Sequence, residues 1–236
     1  MTLTDPTTLT SDSRLATADA RLLTRVAIHV PPEPIDPLPK RLFDVTLALT
    51  MLVVSAPVWL AIAVAIKLDD AGPVFYRQER WGRCQKRFQV LKFRTMVAHS
   101  DRDFGVRQAS SDDQRITRVG RLLRATGLDE LPQILNILLG DMSFVGPRAL
   151  AVDECTRDGI PIRYDETYGF ARRLQVRPGL TGLATIYLPK DAPSALKFRV
   201  DLLYVSRLSF WLDLRLVALS FWISFRGKWE TRTGKL

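Results

Sequence analysis

An aspartate and a glutamate stand side by side at Asp129–Glu130, opening the stretch DELPQILNILLG. Such a pair has a structural use, because negative charge at a helix start complements the helix dipole. In that reading Asp129 is the N-cap, and Pro132 falls in the first turn, where its missing amide costs little. A chemical use is also open. A carboxylate is ionised at neutral pH and suits a hard divalent cation. Arg124 lies just upstream, and Lys92 and Arg94 come from LKFRTM. Arg148 (VGPRAL) and Arg177 (VRPGLTG) each sit beside proline and glycine, which stiffen or sharpen a turn. Taken alone, each cation reads as a solvated or lipid-facing charge. Together with the acidic pair they make a candidate diphosphate site, since arginine forks match phosphate oxygens.

The elements that would carry these residues are readable from pattern. Residues 73–82 and 87–96 are aromatic and β-branched with Gly82 between them, which predicts two short strands or a hairpin. Residues 115–126 predict a helix with Arg115, Arg118, Arg121 and Arg124 spaced three apart. Leu131, Ile134, Leu135 and Leu138 follow helical spacing up to Gly140, a C-terminal stop. Residues 97–114 and 141–192 read mainly as loops with short elements, and 194–206 and 208–226 as two further helices. The last of these is aromatic and apolar but contains Asp213 and Arg215, which argues against spanning a bilayer. It suits either the headgroup zone or a face packed on the domain.

Charge is unevenly distributed. The 236 residues carry a formal net charge of +9, yet up to Asp44 there are five basic and six acidic residues. The excess therefore belongs to the part after residue 66, and it suits anionic lipid, nucleic acid or phosphorylated substrates. Cys84 and Cys155 have neither metal-ligand nor disulfide spacing, consistent with a reducing compartment and with small packing residues. His29 and His99 are too isolated for a zinc site, which leaves only an oxygen-liganded ion as a candidate metal. The opening residues do not read as a secretory signal.

One uncharged apolar run, residues 45–66, is about 33 Å long as a straight helix, matching a bilayer core of about 30 Å. Length favours a span. The Lys40–Arg41 flank and the basic domain that follows both favour the cytosolic side, which argues for a return. Pro57 brings no amide to the Val53 carbonyl and crowds it, while Ser55 can offer its hydroxyl to a carbonyl such as that of Met51. Physics leaves spanning and re-entrant readings balanced.

The stretches GPVFYRQERWG, LKFRTM, RITRVGRLLRATGLDELPQILNILLGDMSFVGPR, RPGLTGLA and DLLYVSRLSFWLDLRL occur in that order. Together they closely resemble the bacterial sugar transferases of the monotopic phosphoglycosyl transferase family, over about residues 40–226. The resemblance implies transfer of a phosphosugar from a UDP-sugar to undecaprenyl phosphate, with UMP leaving, at the cytoplasmic face of the bacterial plasma membrane. It implies Asp129 and Glu130 as the catalytic dyad, with Asp129 the nucleophile of a covalent phosphosugar intermediate. Mg2+ is the implied cofactor, with Asp129 its protein ligand. Arg148 matches the arginine of a Pro-Arg-Pro motif, and Arg124 matches a basic residue before the dyad. The family's membrane element is a re-entrant helix broken at a Ser-Pro pair, here Ser55–Ala56–Pro57. Other departures are Ala149 for the second proline, Gly127 for a serine and Thr185 for a glutamine.

The expected architecture is helix-rich α+β: a monotopic membrane protein with a re-entrant broken helix, a small sheet and interfacial amphipathic helices. Residues 1–39 are expected to form a disordered, proline-rich tail, with 13–30 offering a short amphipathic helix. Residues 40–67 form the membrane hairpin and 68–236 the cytosolic catalytic domain. The expected partners are UDP-sugar, undecaprenyl phosphate and anionic membrane lipids, with no nucleic acid. The competing reading is a basic membrane-peripheral scaffold, or an inactive homologue, that binds anionic lipid without catalysis.

Overall fold

The apolar run becomes the middle of one helix, α1 (Leu38–Asp69), which continues through Pro57. The computed structural model describes residues 35, 37–98, 100, 113–156, 159–189 and 192–226. Most of the predicted tail, the 13–30 helix, most of the 97–114 loop and both histidines lie outside these residues. Among them α1 alone is long and apolar enough to cross a membrane. The expected break at Pro57 is instead an internal proline. Ser55 Oγ donates to the Met51 carbonyl at 2.6 Å and accepts from Trp59 Nε1 at 3.0 Å. These bonds give the helix polar partners of its own around a carbonyl that Pro57 leaves without an amide.

Both halves of α1 pack on the rest of the chain, while in its middle Trp59 packs on Phe93 and several apolar neighbours stay uncovered. Ala48, Met51 and Leu52 join the main core, and Ile62 and Ile66 join a second cluster with Phe93 and Leu123. Between them Val53, Val54, Val58 and Leu60 are exposed. The predicted basic flank has a different use from the one expected. Lys40 is buried and donates to Asp213 Oδ2 at 2.7 Å and to the Val145 carbonyl at 2.9 Å. Arg41 donates to the carbonyls of Ile137 and Leu138. At the far end, Asp69 accepts from the Val119 amide and Asp70 pairs with Arg94 at 2.6 Å.

The predicted hairpin is present. β1 (Phe75–Trp81) pairs antiparallel with β2 (Arg87–Phe93), with Tyr76 opposite Lys92, Gln78 opposite Val90 and Arg80 opposite Phe88. Because side chains alternate along a strand, these six residues share one face. Helix α2 (Arg118–Thr126) starts three residues later than predicted. Arg115 is spent on a fork to Asp113, and Thr117 caps the Gly120 amide. A Cβ at Gly120 would lie 2.0 Å from the Thr95 carbonyl oxygen, so α2 can pass this close only on glycine.

Helix α3 (Gln133–Leu139) is central to the main core. Its Asn136 side chain accepts from the Leu91 amide at 3.0 Å and donates to the Gln89 carbonyl at 2.8 Å, fastening the helix to β2. Gly140, in the left-handed region at φ 91°, ends it as predicted. β3 (Ser143–Val145) then pairs in parallel with β4 (Gly179–Thr181). Between them lies the four-residue helix α4 (Phe170–Arg173), and beyond them come α5 (Leu183–Tyr187), α6 (Ser194–Ser206) and α7 (Phe210–Phe225).

For α7 one face packs on the domain, as one of the two anticipated readings has it, and an aromatic face is left exposed. Asp213, Leu216, Val217 and Ile223 are buried against the domain, whereas Trp211, Phe221, Trp222 and Phe225 are exposed. The Asp213 charge that argued against spanning is an internal partner: it binds Lys40 and accepts from Tyr204 Oη at 2.7 Å.

Candidate active site

After α2 the chain reverses at Gly127, whose φ of 74° lies in the left-handed region that disfavours a side chain. This geometry starts a tight three-residue turn, Leu128–Glu130, in which the Glu130 amide bonds the Gly127 carbonyl and the Leu131 amide that of Leu128. Asp129 is therefore not the N-cap of the following helix; α3 follows Pro132, with no side-chain cap. The short turn consumes the residues that a longer helix would have used. It turns the dyad towards β2.

There the two carboxylates meet one ammonium. Lys92 Nζ lies 2.6 Å from Glu130 Oε1 and 4.0 Å from Asp129 Oδ2. All three side chains are mostly enclosed, between 13% and 15% exposed. Burial would push the Glu130 carboxyl up, but the nearby charges of Lys92, Arg148 and Arg80 outweigh it and hold the carboxyl well below the ordinary range. Glu130 is thus a fixed anion in a cationic surround. Asp129 shares the same ammonium at longer range, so its carboxylate is less committed to Lys92 than is that of Glu130.

The arginines predicted from sequence separate into two groups. Arg148 belongs to the site: its side chain is exposed, and its charge acts on Glu130. Arg124 sits in the last turn of α2, whose Gly127 cap leads into the dyad. Arg94 is buried and grips Asp70 through both its carboxylate and its carbonyl, a structural fastening of the end of α1. Arg177 donates to the Gly140 carbonyl at 2.7 Å, at the end of α3 remote from the dyad. With seven residues, that helix separates the two ends by about 10 Å.

The two glycine–proline motifs are nonetheless one structure. A Cβ at Gly146 would lie 2.3 Å from the Arg177 carbonyl oxygen and 2.8 Å from the Gly179 amide. The Gly179 amide donates to the Pro147 carbonyl at 2.9 Å. Arg173 forks onto the buried Asp201 at 2.6 and 3.0 Å and donates to the Arg148 carbonyl at 2.8 Å. Ala149, in place of a second proline, is buried, and its carbonyl accepts from Arg80. Packing and hydrogen bonds supply the rigidity here that a proline ring would otherwise give.

Sequence reasoning passed over Arg80, Asn136 and the Lys40–Asp213–Tyr204 cluster. Arg80 was findable, because period-two alternation places it on the same strand face as Tyr76 and, across the hairpin, Lys92. Tyr164 extends the same charged surround. Burial raises its hydroxyl well above the ordinary phenol range in concert with Glu154, which accepts from it at 3.1 Å, while Arg148 and Arg80 pull it down.

Among the described residues no three acidic, cysteine or histidine side chains converge. Magnesium does not require such a cage, since it is commonly held by one or two carboxylates plus substrate phosphates and water. The enclosed Asp129 carboxylate fits that sparse donor set.

A family model described as bacterial sugar transferase matches residues 35–227. Curated relatives agree. An exopolysaccharide production protein PSS of Rhizobium leguminosarum bv. phaseoli is 43% identical over 183 residues, covering 75% of this chain and 90% of the relative. A UDP-glucose:undecaprenyl-phosphate glucose-1-phosphate transferase of Caulobacter vibrioides is 43% identical over 185 residues, covering 75% of this chain but 66% of the relative. An undecaprenyl-phosphate N-acetylgalactosaminephosphotransferase of Aeromonas hydrophila is 37% identical over 192 residues, covering 79% and 43%. The chain thus spans about two thirds or less of the length of these last two relatives.

Proposed function

The chain belongs to the bacterial sugar transferase family, and from that premise we propose that it moves a phosphosugar from a UDP-sugar to undecaprenyl phosphate, releasing UMP. The observation that carries this reading is the enclosed Asp129–Glu130 pair facing Lys92, with Arg148 and Arg80 acting on it.

The chemistry runs in two displacements. A carboxylate oxygen of Asp129 attacks the sugar-linked phosphorus of the donor, and the phosphoanhydride bond breaks. UMP leaves with the bridging oxygen and its electron pair. A phosphate oxygen of the polyprenol then attacks the same phosphorus, and the Asp129–phosphorus bond breaks to restore the carboxylate. No proton transfer is needed to activate either nucleophile. Lys92 and Glu130 fix the charge balance around Asp129, and Arg148 supplies a fork for phosphate oxygens. Mg2+ held by Asp129 and the diphosphate would neutralise charge on the leaving phosphate.

Placement relative to the membrane follows the same reading. The two ends of α1 are bonded to one domain, through Lys40–Asp213 and through Asp70–Arg94, and the exposed apolar residues lie between them. We take α1 to kink at its internal Pro57, with the exposed residues of the Val53–Leu60 region dipping into one leaflet and both ends on the cytoplasmic side. The exposed aromatics of α7 suit the headgroup zone, where rings with polar edges partition favourably. A soluble donor and a membrane-bound acceptor then reach Asp129 in turn.

Relatives whose names carry glucose and N-acetylgalactosamine match this chain comparably. The test is therefore a panel of UDP-sugars assayed for UMP release with undecaprenyl phosphate. Release with at least one donor supports the reading, and none with any donor sinks it.

A further inference from the structure

Arg80 is a cation in the charged surround whose own nitrogens are occupied by protein. Its Nη1 donates to the Ala149 carbonyl, and its Nε and Nη2 donate to Gln78 Oε1 at 3.1 and 2.6 Å. The backbone on either side repeats the attachment. The Trp81 amide donates to the Leu150 carbonyl at 2.9 Å, the Val152 amide donates to that of Glu79 at 3.2 Å, and Arg80 and Ala151 form an antiparallel bridge. Residues 149–152 are thereby held along β1, on the hairpin that also carries Lys92.

The consequence falls on Arg148. Its own carbonyl is held by Arg173, and the next carbonyl is held by Arg80. The guanidinium of Arg148 is thus an exposed arm on a backbone pinned on both sides by arginine forks. Arg80 and Arg148 also repel each other, an arrangement disfavoured unless anions lie near both. Glu130 is one such anion.

We propose that Arg80 is a positioning residue: through the Ala149 carbonyl it holds the Pro147–Arg148–Ala149 turn so that the Arg148 guanidinium meets the substrate diphosphate. This rests on the transferase reading above. Arg80 does not touch the reacting atoms. A lysine there keeps the charge but has no planar fork to serve Gln78 and Ala149 together.

The test combines two measurements on the full chain. Amide hydrogen exchange, without substrate, compares wild type with Arg80→Lys and Gln78→Leu; the second variant keeps the guanidinium and frees its fork. Both are expected to exchange faster across residues 149–152, with exchange at α3 unchanged. The second measurement is a double-mutant cycle on UMP release from UDP-glucose. Arg80→Lys is expected to lower kcat about tenfold with an arginine at 148, but less than about twofold in an Arg148→Ala background, the coupling of a residue that acts through its neighbour. Equal losses in both backgrounds, or unchanged exchange at 149–152, would overturn the proposal. If wild type releases no UMP from any donor, the transferase reading falls, while the exchange result still decides whether Arg80 holds the turn.

Discussion

Lys92 Nζ stands 2.6 Å from Glu130 Oε1 and 4.0 Å from Asp129 Oδ2, so one ammonium from β2 serves both carboxylates of the turn. The relationship depends on two other attachments. Asn136 fastens α3 to β2 one residue away from Lys92, and Gly127 sets the turn that faces the dyad towards it. A charge pair placed this way is sensitive both to pH and to the register between helix and strand.

The pH dependence has a definite sign. Burial favours the neutral Glu130 carboxyl, but Lys92, then Arg148 and Arg80, hold it down to about 2, below an unfolded value of about 4.3. A depressed carboxyl contributes stability that is fully present above the unfolded value and lost as pH falls through the folded one. Lys92→Met removes the largest stabilising charge, so the loss should begin at higher pH. Denaturant midpoints between pH 6 and about 3 check this, and the acidic limb of UMP release should move the same way. Superimposable profiles for wild type and Lys92→Met would contradict the assignment.

Asn136→Ala removes a side chain that both donates to and accepts from the β2 backbone. Leaving those groups unpaired costs about 1–3 kcal/mol. The expected outcome is a lower denaturant midpoint of that size and a fall in kcat, because Lys92 loses its register against Glu130. A variant with lowered stability but full kcat would show that the Asn136 clamp does not set the site.

The Lys40–Asp213 bond ties the first turn of α1 to α7 at 2.7 Å, with both side chains nearly sealed from water. Removing one partner strands the other charge in the interior, so Asp213→Leu should destabilise by about 3–5 kcal/mol. The double variant Lys40→Met/Asp213→Leu should recover much of that loss. Thermal unfolding in detergent measures both. Additive destabilisation in the double variant would contradict the pairing.

Topology is checked by labelling. Leu38 and Leu68 are exposed at opposite ends of α1, and the native Cys84 is exposed on the hairpin turn. Single cysteines at 38 or 68, in a background with Cys84 and Cys155 replaced by serine, should react with an impermeant maleimide only when the cytoplasmic face is accessible. A wild-type-like protein retaining Cys84 alone supplies the reference. Labelling of 38 and 68 from opposite sides would defeat the return of the helix.

Much of the scaffold was legible because its signals are local. Strand alternation flanking Gly82, the helical spacing ending at Gly140 and the limits of α6 and α7 each depend on a few neighbouring residues. The acidic pair was visible as a pair, and only the family resemblance assigned it chemistry; its setting was not legible, because Asp129 as an N-cap is the natural local reading and the left-handed Gly127 replaces it with a tight turn. The arginines divided for a different reason. Sequence indicates that Arg94 and Arg177 are cations near useful motifs, but not that Asp70 and the Gly140 carbonyl are waiting for them. Lys40 resembled a membrane-flanking charge because its partner, Asp213, lies 173 residues away. Long-range pairing of this kind leaves no periodic trace.

The central claim is that Asp129 itself carries the phosphosugar. Intact-mass measurement after addition of the preferred UDP-sugar, without acceptor, tests it most directly. Wild type should gain the mass of one phosphosugar, undecaprenyl phosphate should discharge it, and Asp129→Asn should gain nothing. An active wild-type enzyme that shows no mass gain, or an Asp129→Asn variant that shows the full gain, would contradict the account.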